Sequence, residues 1–384
     1  MNLTNDITRH LADLVAFPTV SSASNLDLIA HVETILQPLG AHIRRFPDAS
    51  GQKANLLATI GPETSGGIIF SGHTDVVPTQ GQAWSSDPFV MREADGRLFG
   101  RGTTDMKGFL ACCLAIAPAA AAMPLTRPIH LAFSYDEEVG CTGVGSMAEW
   151  IGQSDLKPRL AIIGEPTTMD FVAAHKGGLV GWCRVTGKPG HSSQPDRYVN
   201  AVMTAAEMIA EISRIREDMR NGPTFEGLDP PYSTITVNIV HGGVAGNIVA
   251  ENCEFIWEMR IIPGESDMAV FERMQRFATE KLEPAMKAID PACGIAFEIK
   301  ANIPGLRPNE DAALDTELLK LLGRNQVRYV SYGTEAGIFQ NAGIPSVIIG
   351  PGDIADAHQP DESIAISELT ACADFLQKLV ETCR

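Results

Sequence analysis

Histidine and carboxylate side chains follow several short apolar runs of this chain, and their types suit a hydrolytic metal site. Imidazole and carboxylate ligands without thiolate are typical of zinc or another borderline divalent ion. Two such ions about 3.5–4 Å apart can stabilise both sides of a hydrolytic transition state. The sequence therefore predicts a two-metal site built from His73, Asp75, Asp105, Glu137, Glu138, Glu165 and His358.

The charge of these candidates favours two ions over one. Asp75, Asp105, Glu137, Glu138 and Glu165 would bring five negative charges. Such a group could not share a desolvated pocket without cations. Two divalent ions would supply four compensating positive charges.

Each residue also has a purely structural interpretation. A single histidine after a strand is more often a hydrogen-bonding loop residue than a ligand. The Glu137-Glu138 pair could form a solvated turn, and Asp105 could cap the helix that follows it, because Asp is a favoured N-cap. The shared placement of all these residues favours the metal site over the separate explanations.

The elements that must position these side chains are four apolar runs at residues 68–70, 129–134, 160–163 and 346–349. Continuous apolar runs of this length are typical of strands buried on both faces of a mostly parallel sheet. In such sheets, ligands bind beyond the carboxyl ends of the strands. We therefore expect the four runs to deliver their polar neighbours to one edge.

Five motifs of the chain resemble those of the M20 metallopeptidases. They are SGHTDVVP from Ser71, GRGTTDMKG from Gly100, DEEVG from Asp136, GEPT from Gly164 and GKPGHSS from Gly187. This family comprises co-catalytic zinc amidohydrolases, which include acetylornithine deacetylase, succinyl-diaminopimelate desuccinylase and aminoacylase. The resemblance extends from about residue 5 to the C-terminus, and the segments YGTEAGIF and GPGDIADAHQPDE are most similar to the acetylornithine deacetylase branch.

The resemblance implies two zinc ions, with cobalt or manganese as substitutes. Asp105 would bridge both ions. His73 and Glu165 would complete one position, and Glu138 and His358 the other. It also implies a cis peptide bond after the bridging aspartate.

The resemblance further implies catalytic roles for Asp75 and Glu137. Asp75 would hydrogen-bond the imidazole of His73 and fix its orientation. Glu137 would be the general base, which takes a proton from the attacking water and passes it to the leaving amine.

Four further residues match substrate-binding positions of the family. His191 would come from the partner subunit and polarise the acyl oxygen, and Asn247 and Arg260 would hold the substrate's backbone and carboxylate, for which the planar guanidinium is well suited. Glu335 would meet the ammonium end, although glycines replace bulkier residues around it. The alternatives are a loop-bonding histidine, a turn asparagine, a surface salt bridge for Arg260 and a structural glutamate.

The implied reaction is removal of the acetyl group from N2-acetyl-L-ornithine, which gives L-ornithine and acetate and belongs to arginine biosynthesis. One alternative is another acyl-amino-acid hydrolase of the family, such as succinyl-diaminopimelate desuccinylase. Another is a non-catalytic metal-binding scaffold, which would not need Glu137. A serine hydrolase is disfavoured because no G-x-S-x-G motif occurs. A P-loop is excluded because Pro189 follows Gly187-Lys188.

The length of 384 residues exceeds what one core usually serves, so two domains are expected. Strands and helices alternate to about residue 174, as in α/β domains. From residue 177 to about 300 the order becomes β-α-β-β-α-β, the ferredoxin-like unit, with its second helix predicted over 268–288. We predict an α/β fold: a mostly parallel-sheet zinc-peptidase catalytic domain (1–177 and 301–384) with an inserted α+β ferredoxin-like lid domain (178–300) that forms a homodimer.

Composition narrows the choice of partners and compartment. The balance of 30 basic and 47 acidic residues gives a net charge of −17, which argues against nucleic acid and anionic membranes as partners. Eight scattered cysteines without a C-x-x-C pair indicate reduced, intracellular usage. The N-terminal segment is not typical of a secretory signal, and the apolar stretch 109–123 is short for a membrane span, so it predicts a core helix that begins near Asp105. These features favour a cytoplasmic enzyme that acts on a small molecule.

Overall fold

The computed structural model describes residues 3–384. Its α-helices are α1 (Leu3–Val15), α2 (Leu26–Leu36), α3 (Gly108–Ala122), α4 (Gly145–Gln153), α5 (Ala201–Arg220), α6 (Asp267–Phe277), α7 (Glu283–Ile289), α8 (Ala312–Leu322), α9 (Ala336–Asn341) and α10 (Ile366–Glu381). Its strands are β1 (His42–Pro47), β2 (Ala54–Ile60), β3 (Ile68–His73), β4 (Arg92–Ala94), β5 (Arg97–Phe99), β6 (Ile129–Ser134), β7 (Leu160–Ile163), β8 (Phe171–His175), β9 (Gly177–Thr186), β10 (Thr234–Gly242), β11 (Asn252–Ile261), β12 (Gly294–Ile303), β13 (Val327–Val330), β14 (Ser346–Ile348) and β15 (Ser363–Ala365).

The largest sheet has eight strands in the order β1-β2-β6-β3-β7-β14-β8-β13. Its central strands β6, β3, β7 and β14 are parallel, whereas β1, β2 and β8 make antiparallel pairs. Every residue of the four central strands is buried, as their continuous apolar character predicts. The predicted mostly parallel sheet is confirmed, and its central strands are the four apolar runs, which end at one edge.

The chain divides into two compact units. The first comprises residues 1–174, 306–329 and 334–384, and the second comprises residues 175–305 and 330–333. These limits differ by a few residues from the predicted boundaries at 177/178 and 300/301. The short segment 330–333, which the sequence assigns to the first domain, groups with the second unit.

Helix α3 is the central helix of the first unit's core. Its side chains pack among those of α1 and α10, and Phe109 and Leu110 are fully buried. The stretch Thr103–Ala122 is long and apolar enough to cross a membrane by length and composition, but 72% of it is buried inside the protein. That burial is expected of a core helix.

Two helix predictions differ from the structure. The core helix begins at Gly108 rather than near Asp105, because Asp105 and Met106 have non-helical backbone angles. The helix predicted over 268–288 is interrupted by a wider π-type turn at Ala278–Leu282. Pro284 follows that turn and has no N–H to donate, so a regular helix restarts there with the proline in its first turn.

The second unit contains the predicted ferredoxin-like arrangement. Its four strands lie in the order β10-β11-β9-β12, with antiparallel pairing throughout. Burial alternates along β11, as expected of a sheet with one covered face. Trp257 of β11 is fully buried, and its ring centroid lies 5.6 Å from that of Phe271 in α6. The sheet therefore packs its apolar face against the helices of this unit.

Burial of His130 in β6 predicts a loss of stability in mild acid. Burial lowers the pKa of this imidazole to about 4, so the folded protein keeps it neutral where the unfolded chain, with a pKa of about 6.5, takes up a proton. The stability from this group is complete above pH 6.5 and is lost as the pH falls towards 4. Between pH 7 and pH 5, the unfolding free energy of the wild type should fall by about 2 kcal/mol more than that of His130→Asn, which lacks this imidazole.

Urea unfolding at both pH values measures this effect. The control is His42→Asn, because the His42 side chain is 67% exposed. Equal losses for the wild type and His130→Asn would contradict the prediction.

Candidate metal centre

Strand ends and the turns after them carry most of the candidate ligands. His73 is the last residue of β3, Glu165 lies two residues after β7, and Glu137 and Glu138 follow β6. His358 comes ten residues after the end of β14, with a left-handed backbone at φ 61°. Such a conformation is uncommon for a residue with a side chain and is found more often at functional sites.

Asp105 lies between two histidines. Its Oδ1 is 2.9 Å from Nε2 of His73, and its Oδ2 is 3.2 Å from Nε2 of His358. The peptide bond between Asp105 and Met106 is cis, as the family resemblance predicts. The aspartate does not cap α3 through its side chain, because both of its oxygens face the histidines. One carboxylate thus faces two separate groups of ligands.

Glutamates complete both groups. Glu138 Oε2 lies 3.1 Å from Nε2 of His358, and Glu165 Oε1 lies 3.9 Å from Nε2 of His73. Ligand atoms of His73, Glu137 and Glu165 lie within 4.8 Å of one another, as do those of His73, Asp105 and Glu138. These separations are compatible with shared metal ions.

Buried carboxylate oxygens without a hydrogen-bond partner indicate whether these residues suit a metal ion. Among residues 3–384, Glu138 Oε1 and Glu165 Oε1 are buried without a hydrogen-bond partner. A buried acceptor without a partner is costly unless a cation or ordered water satisfies it. Together with imidazole nitrogens and further carboxylates, they form a donor set that fits divalent metal ions.

Asp75 fixes this region in a different way from that predicted. Nδ1 of His73 donates to the main-chain carbonyl oxygen of Asp75 at 2.8 Å, whereas the Asp75 carboxylate is 3.7 Å away. That carboxylate instead accepts from the hydroxyl of Ser21 (2.6 Å) and from the main-chain N–H groups of Glu137 (3.1 Å) and Glu138 (3.3 Å). The main chain therefore orients the His73 ring, and the Asp75 side chain holds the turn that carries the two glutamates.

Burial disfavours the ionised form of the glutamates unless a cation lies near them. It raises the pKa values of Glu137 and Glu165 well above the usual range, with repulsion from neighbouring carboxylates adding to the effect. The pKa of Glu138 is also raised, by burial and by the charge of Asp105. The thiol of Cys141 donates to Glu137 at 3.3 Å. A cation in the cluster would reverse these shifts.

The carboxylates around the two histidines favour the protonated imidazole of each. Burial alone would lower the pKa of His73, but the hydrogen bond to Asp105 and the nearby carboxylates raise it well above its usual value. Hydrogen bonds to Asp105 and Glu138 raise the pKa of His358 to about 10. These protons occupy the sides of the carboxylates at which metal ions would bind.

Glu335 lies inside the first unit rather than at an open surface. The residue is 1% exposed, and burial raises its pKa to about 7, an effect that the hydroxyls of Ser134 and Ser71 only partly oppose. The charge of Glu335 also contributes to the raised pKa of Glu137. The contact of Glu335 with a substrate ammonium group stays a prediction.

His191, Asn247 and Arg260 belong to the second unit, and their substrate roles also stay predictions. Nδ1 of the exposed His191 accepts from the main-chain N–H of Ser193 at 3.2 Å, so the neutral ring carries its hydrogen on Nε2. The carbonyl oxygen of Asn247 accepts from Ser192. Arg260 forms the ion pair expected of its structural alternative, with Glu258 at 2.5 Å.

Glu362 is a residue of this region that the sequence did not predict. This carboxylate is 1% exposed, pairs with Arg101 at 2.7 Å, and accepts from the main-chain N–H groups of Gly102, Thr104 and Asp105. One feature of the sequence could have indicated this pair: Arg101 and Glu362 are oppositely charged, and both lie within the motifs that carry the family resemblance. Neither residue showed from the sequence alone that it would be buried.

Comparisons with known proteins agree with this geometry. The family model described as peptidase family M20/M25/M40 matches residues 69–382. The chain belongs to this family. It is 35% identical over 379 residues to the acetylornithine deacetylase of Photorhabdus laumondii, which covers 96% of this chain and 94% of the relative. The protein is therefore a hydrolase of the M20 family, related to acetylornithine deacetylases.

Solved structures with low identity share the fold. The M20 family metallo-carboxypeptidase of Sulfolobus solfataricus superposes with a TM-score of 0.77 at 18% identity, over 98% of both chains. A dinuclear metal binding peptidase of the same family from Bacillus subtilis gives a TM-score of 0.66 at 15% identity, over 99% of this chain and 98% of that one.

Removal and return of metal should be accompanied by proton exchange. Neighbouring carboxylates raise the pKa values of His73 and His358, so each would release a proton on becoming a ligand. We expect the apparent affinity for Zn²⁺ to rise with pH between 6 and 8, and binding to release protons. Calorimetry in buffers of different ionisation enthalpy measures that release.

Metal analysis after dialysis should give about two ions per wild-type chain and about one for His358→Asn. The control is His31→Asn, because His31 lies outside the cluster. Binding without proton release, or unchanged stoichiometry in His358→Asn, would contradict the prediction.

Proposed function

We propose that this protein is a dizinc amidohydrolase that removes the acetyl group from N2-acetyl-L-ornithine, giving L-ornithine and acetate. The observation that carries the proposal is the placement of His73 and His358 on opposite oxygens of Asp105, with Glu137 in the same cluster. Relatives at 35% identity that are acetylornithine deacetylases support the choice of substrate. Cobalt or manganese could replace zinc at such a donor set.

The ligands would divide between two positions. Asp105 would bridge them, with His73 and Glu165 at one and Glu138 and His358 at the other. Ions bound there would acidify the attacking water and polarise the acyl carbonyl group.

Glu137 would act as the general base. Its carboxylate would take a proton from the attacking water and deliver it to the leaving nitrogen. Asp75 would keep Glu137 in place through the hydrogen bond to its main-chain N–H.

The second unit would supply the groups that recognise the substrate. Nε2–H of His191 of the partner subunit would donate to the acyl oxygen, which requires the tautomer that the Ser193 contact favours. Arg260 would exchange its pairing with Glu258 for the substrate carboxylate, and Asn247 would bind the substrate backbone. Closure over the substrate would exclude water.

The biological setting follows from the product. Ornithine formation would place the reaction in arginine biosynthesis, and a small polar substrate would be met in the cytoplasm. Free buried cysteines are compatible with a reducing compartment. The other candidate of the same class is a hydrolase of a different acyl amino acid, such as succinyl-diaminopimelate.

A substrate panel tests the proposal. The wild type should turn over acetylornithine with a kcat/KM at least about tenfold above that for other acyl amino acids, because the site would bind the whole ornithine moiety. Glu137→Gln should lower kcat at least about 100-fold through loss of the base, with metal content unchanged. The control is Glu149→Gln on the outer side of α4, which should have no effect.

Preference for succinyl-diaminopimelate would replace the proposed substrate. Full activity of Glu137→Gln would contradict the catalytic assignment. A protein that retains both ions and hydrolyses no member of the panel would favour the scaffold alternative.

An exposed apolar surface on the second unit supports a homodimer. β10 is an edge strand of its sheet, so one side of its backbone is free to pair with another strand. Exposed apolar side chains lie on β10, on the following loop and on α5, with Val244 88% exposed. Together they make a surface suited to a second copy: Val202, Met203, Ile239, Val240, Val244 and Ile248.

Disruption of this surface should give monomers. Val240→Lys introduces a charge on the edge strand, and we expect light scattering after size-exclusion chromatography to show half the wild-type mass. The matched control is Ile299→Lys, because Ile299 is an exposed residue of β12 at the opposite edge of the same sheet. An unchanged dimer in Val240→Lys, or a wild-type monomer, would contradict the prediction.

Co-expression of two inactive chains tests whether subunits share sites. In a mixed dimer of His191→Ala and Glu137→Gln, the first chain would receive an intact His191 from its partner. About a quarter of the wild-type activity should return if the site is shared, because half the dimers are mixed and each has one intact site. No recovery would place His191 in its own subunit's site.

A further inference from the structure

A buried carboxylate holds the turn that carries Asp105. Glu362 Oε1 accepts from the main-chain N–H groups of Thr104 at 2.9 Å and Asp105 at 3.1 Å. Its Oε2 accepts from the N–H of Gly102 at 3.0 Å and from Nη1 of Arg101 at 2.7 Å. The backbone of this turn is not helical, so its N–H groups need acceptors from elsewhere in the chain. Glu362 provides them.

The same network extends to His358. Nη2 of Arg101 donates to Oε1 of Gln82 at 2.5 Å, and Nε2 of Gln82 donates to the carbonyl oxygen of His358 at 2.8 Å. A second link joins the segment of Gln82 to the segment of His358, because the Asp361 carboxylate accepts from the main-chain N–H of Ser85 at 3.0 Å. A chain of hydrogen bonds therefore connects the backbone of Asp105 to the backbone of His358.

His358 depends on this network more than His73 does. The His73 ring is fully buried on β3, and its Nδ1 is fixed by a main-chain carbonyl group. The His358 side chain is 50% exposed and belongs to a loop with a left-handed residue at its ligand position. Packing thus fixes one histidine, whereas hydrogen bonds to a loop fix the other.

The Arg101–Glu362 pair would be a poor choice for stability alone. Both side chains are 1% exposed, and taking two charges out of water offsets most of their attraction. An apolar pair of similar size would serve the core as well or better. Glu362 instead accepts four directed hydrogen bonds, three from the turn and one from Arg101, which indicates that it sets the geometry of the turn.

We propose that Glu362, Arg101 and Gln82 form a brace that sets the position of His358 relative to Asp105. Glu362 is then a positioning residue for the metal position completed by Glu138 and His358. The position completed by His73 and Glu165 depends on the brace less. This inference rests on the proposed dinuclear function and adds residues to its site.

Two variants test the brace. Glu362→Gln keeps the side-chain shape but replaces one acceptor oxygen by an NH2 group, which cannot accept from the donors that this oxygen serves. Gln82→Met removes the link to His358 at a half-buried position, so folding does not decide its result. The matched control is Glu317→Gln, which alters another Arg–Glu pair of the first unit, with Arg159 at 3.1 Å.

Metal affinity and cobalt spectra provide the measurement. Competition with a chelator on the folded wild type and variants gives the affinity of each Zn²⁺ separately, and d–d absorption of the Co²⁺ forms reports coordination geometry. We expect Glu362→Gln and Gln82→Met to weaken the binding of one ion about 10–100-fold, to weaken the other less, and to alter the cobalt spectrum. Glu317→Gln should retain both affinities and the wild-type spectrum.

The outcomes separate the brace from the proposed function. The brace is overturned if Gln82→Met and folded Glu362→Gln both keep the affinities and the spectrum of the wild type. The proposed function still holds in that case if the wild type binds two ions and turns over substrate. Equal weakening of both ions also overturns the brace, because the brace acts mainly on the position of His358. A wild type that binds no pair of metal ions overturns both.

Discussion

The mutual repulsion of buried carboxylates is the constraint on which the first unit depends. Several of them meet at one edge of a sheet, and burial raises the pKa values of Glu137, Glu138 and Glu165. Two histidines on either side of Asp105 offer partial compensation of that charge. A fold with this cluster needs cations, and the chain provides a ligand set that would bind them.

Different interactions hold different parts of the cluster in place. The sheet fixes what lies on its strands, so His73 needs only a main-chain contact from Asp75. The turns between elements have no such support, and buried polar side chains hold them in place. Asp75 holds the turn of Glu137 and Glu138, and Glu362 holds the turn of Asp105. Polar residues that contact no ligand directly are thus part of what forms the site.

The sequence predicted the parts of the structure that depend on local pattern. Continuous apolar runs predicted the four central parallel strands. The order of elements predicted a ferredoxin-like unit over 178–300, where the structure has a unit of residues 175–305 and 330–333. The sequence did not predict which atom of Asp75 would contact His73, because carbonyl and carboxylate of one residue are equally placed in the sequence. Nor did it predict Glu362, whose importance depends on burial against a turn about 260 residues earlier in the chain. The start of α3 was wrong because an irregular turn has no periodicity to reveal it.

The order of strands constrains how the sheet can be completed during synthesis. β7 and β8 are neighbours in the sequence, but β14 lies between them and pairs with both. Until residues 346–348 leave the ribosome, the facing edges of those two strands have no partner, although the intervening 175–305 can already be folded. Such distant pairing makes a sheet slow to close. The last segment of the main sheet to be translated therefore completes its centre, and the loop that brings His358 follows only a few residues later.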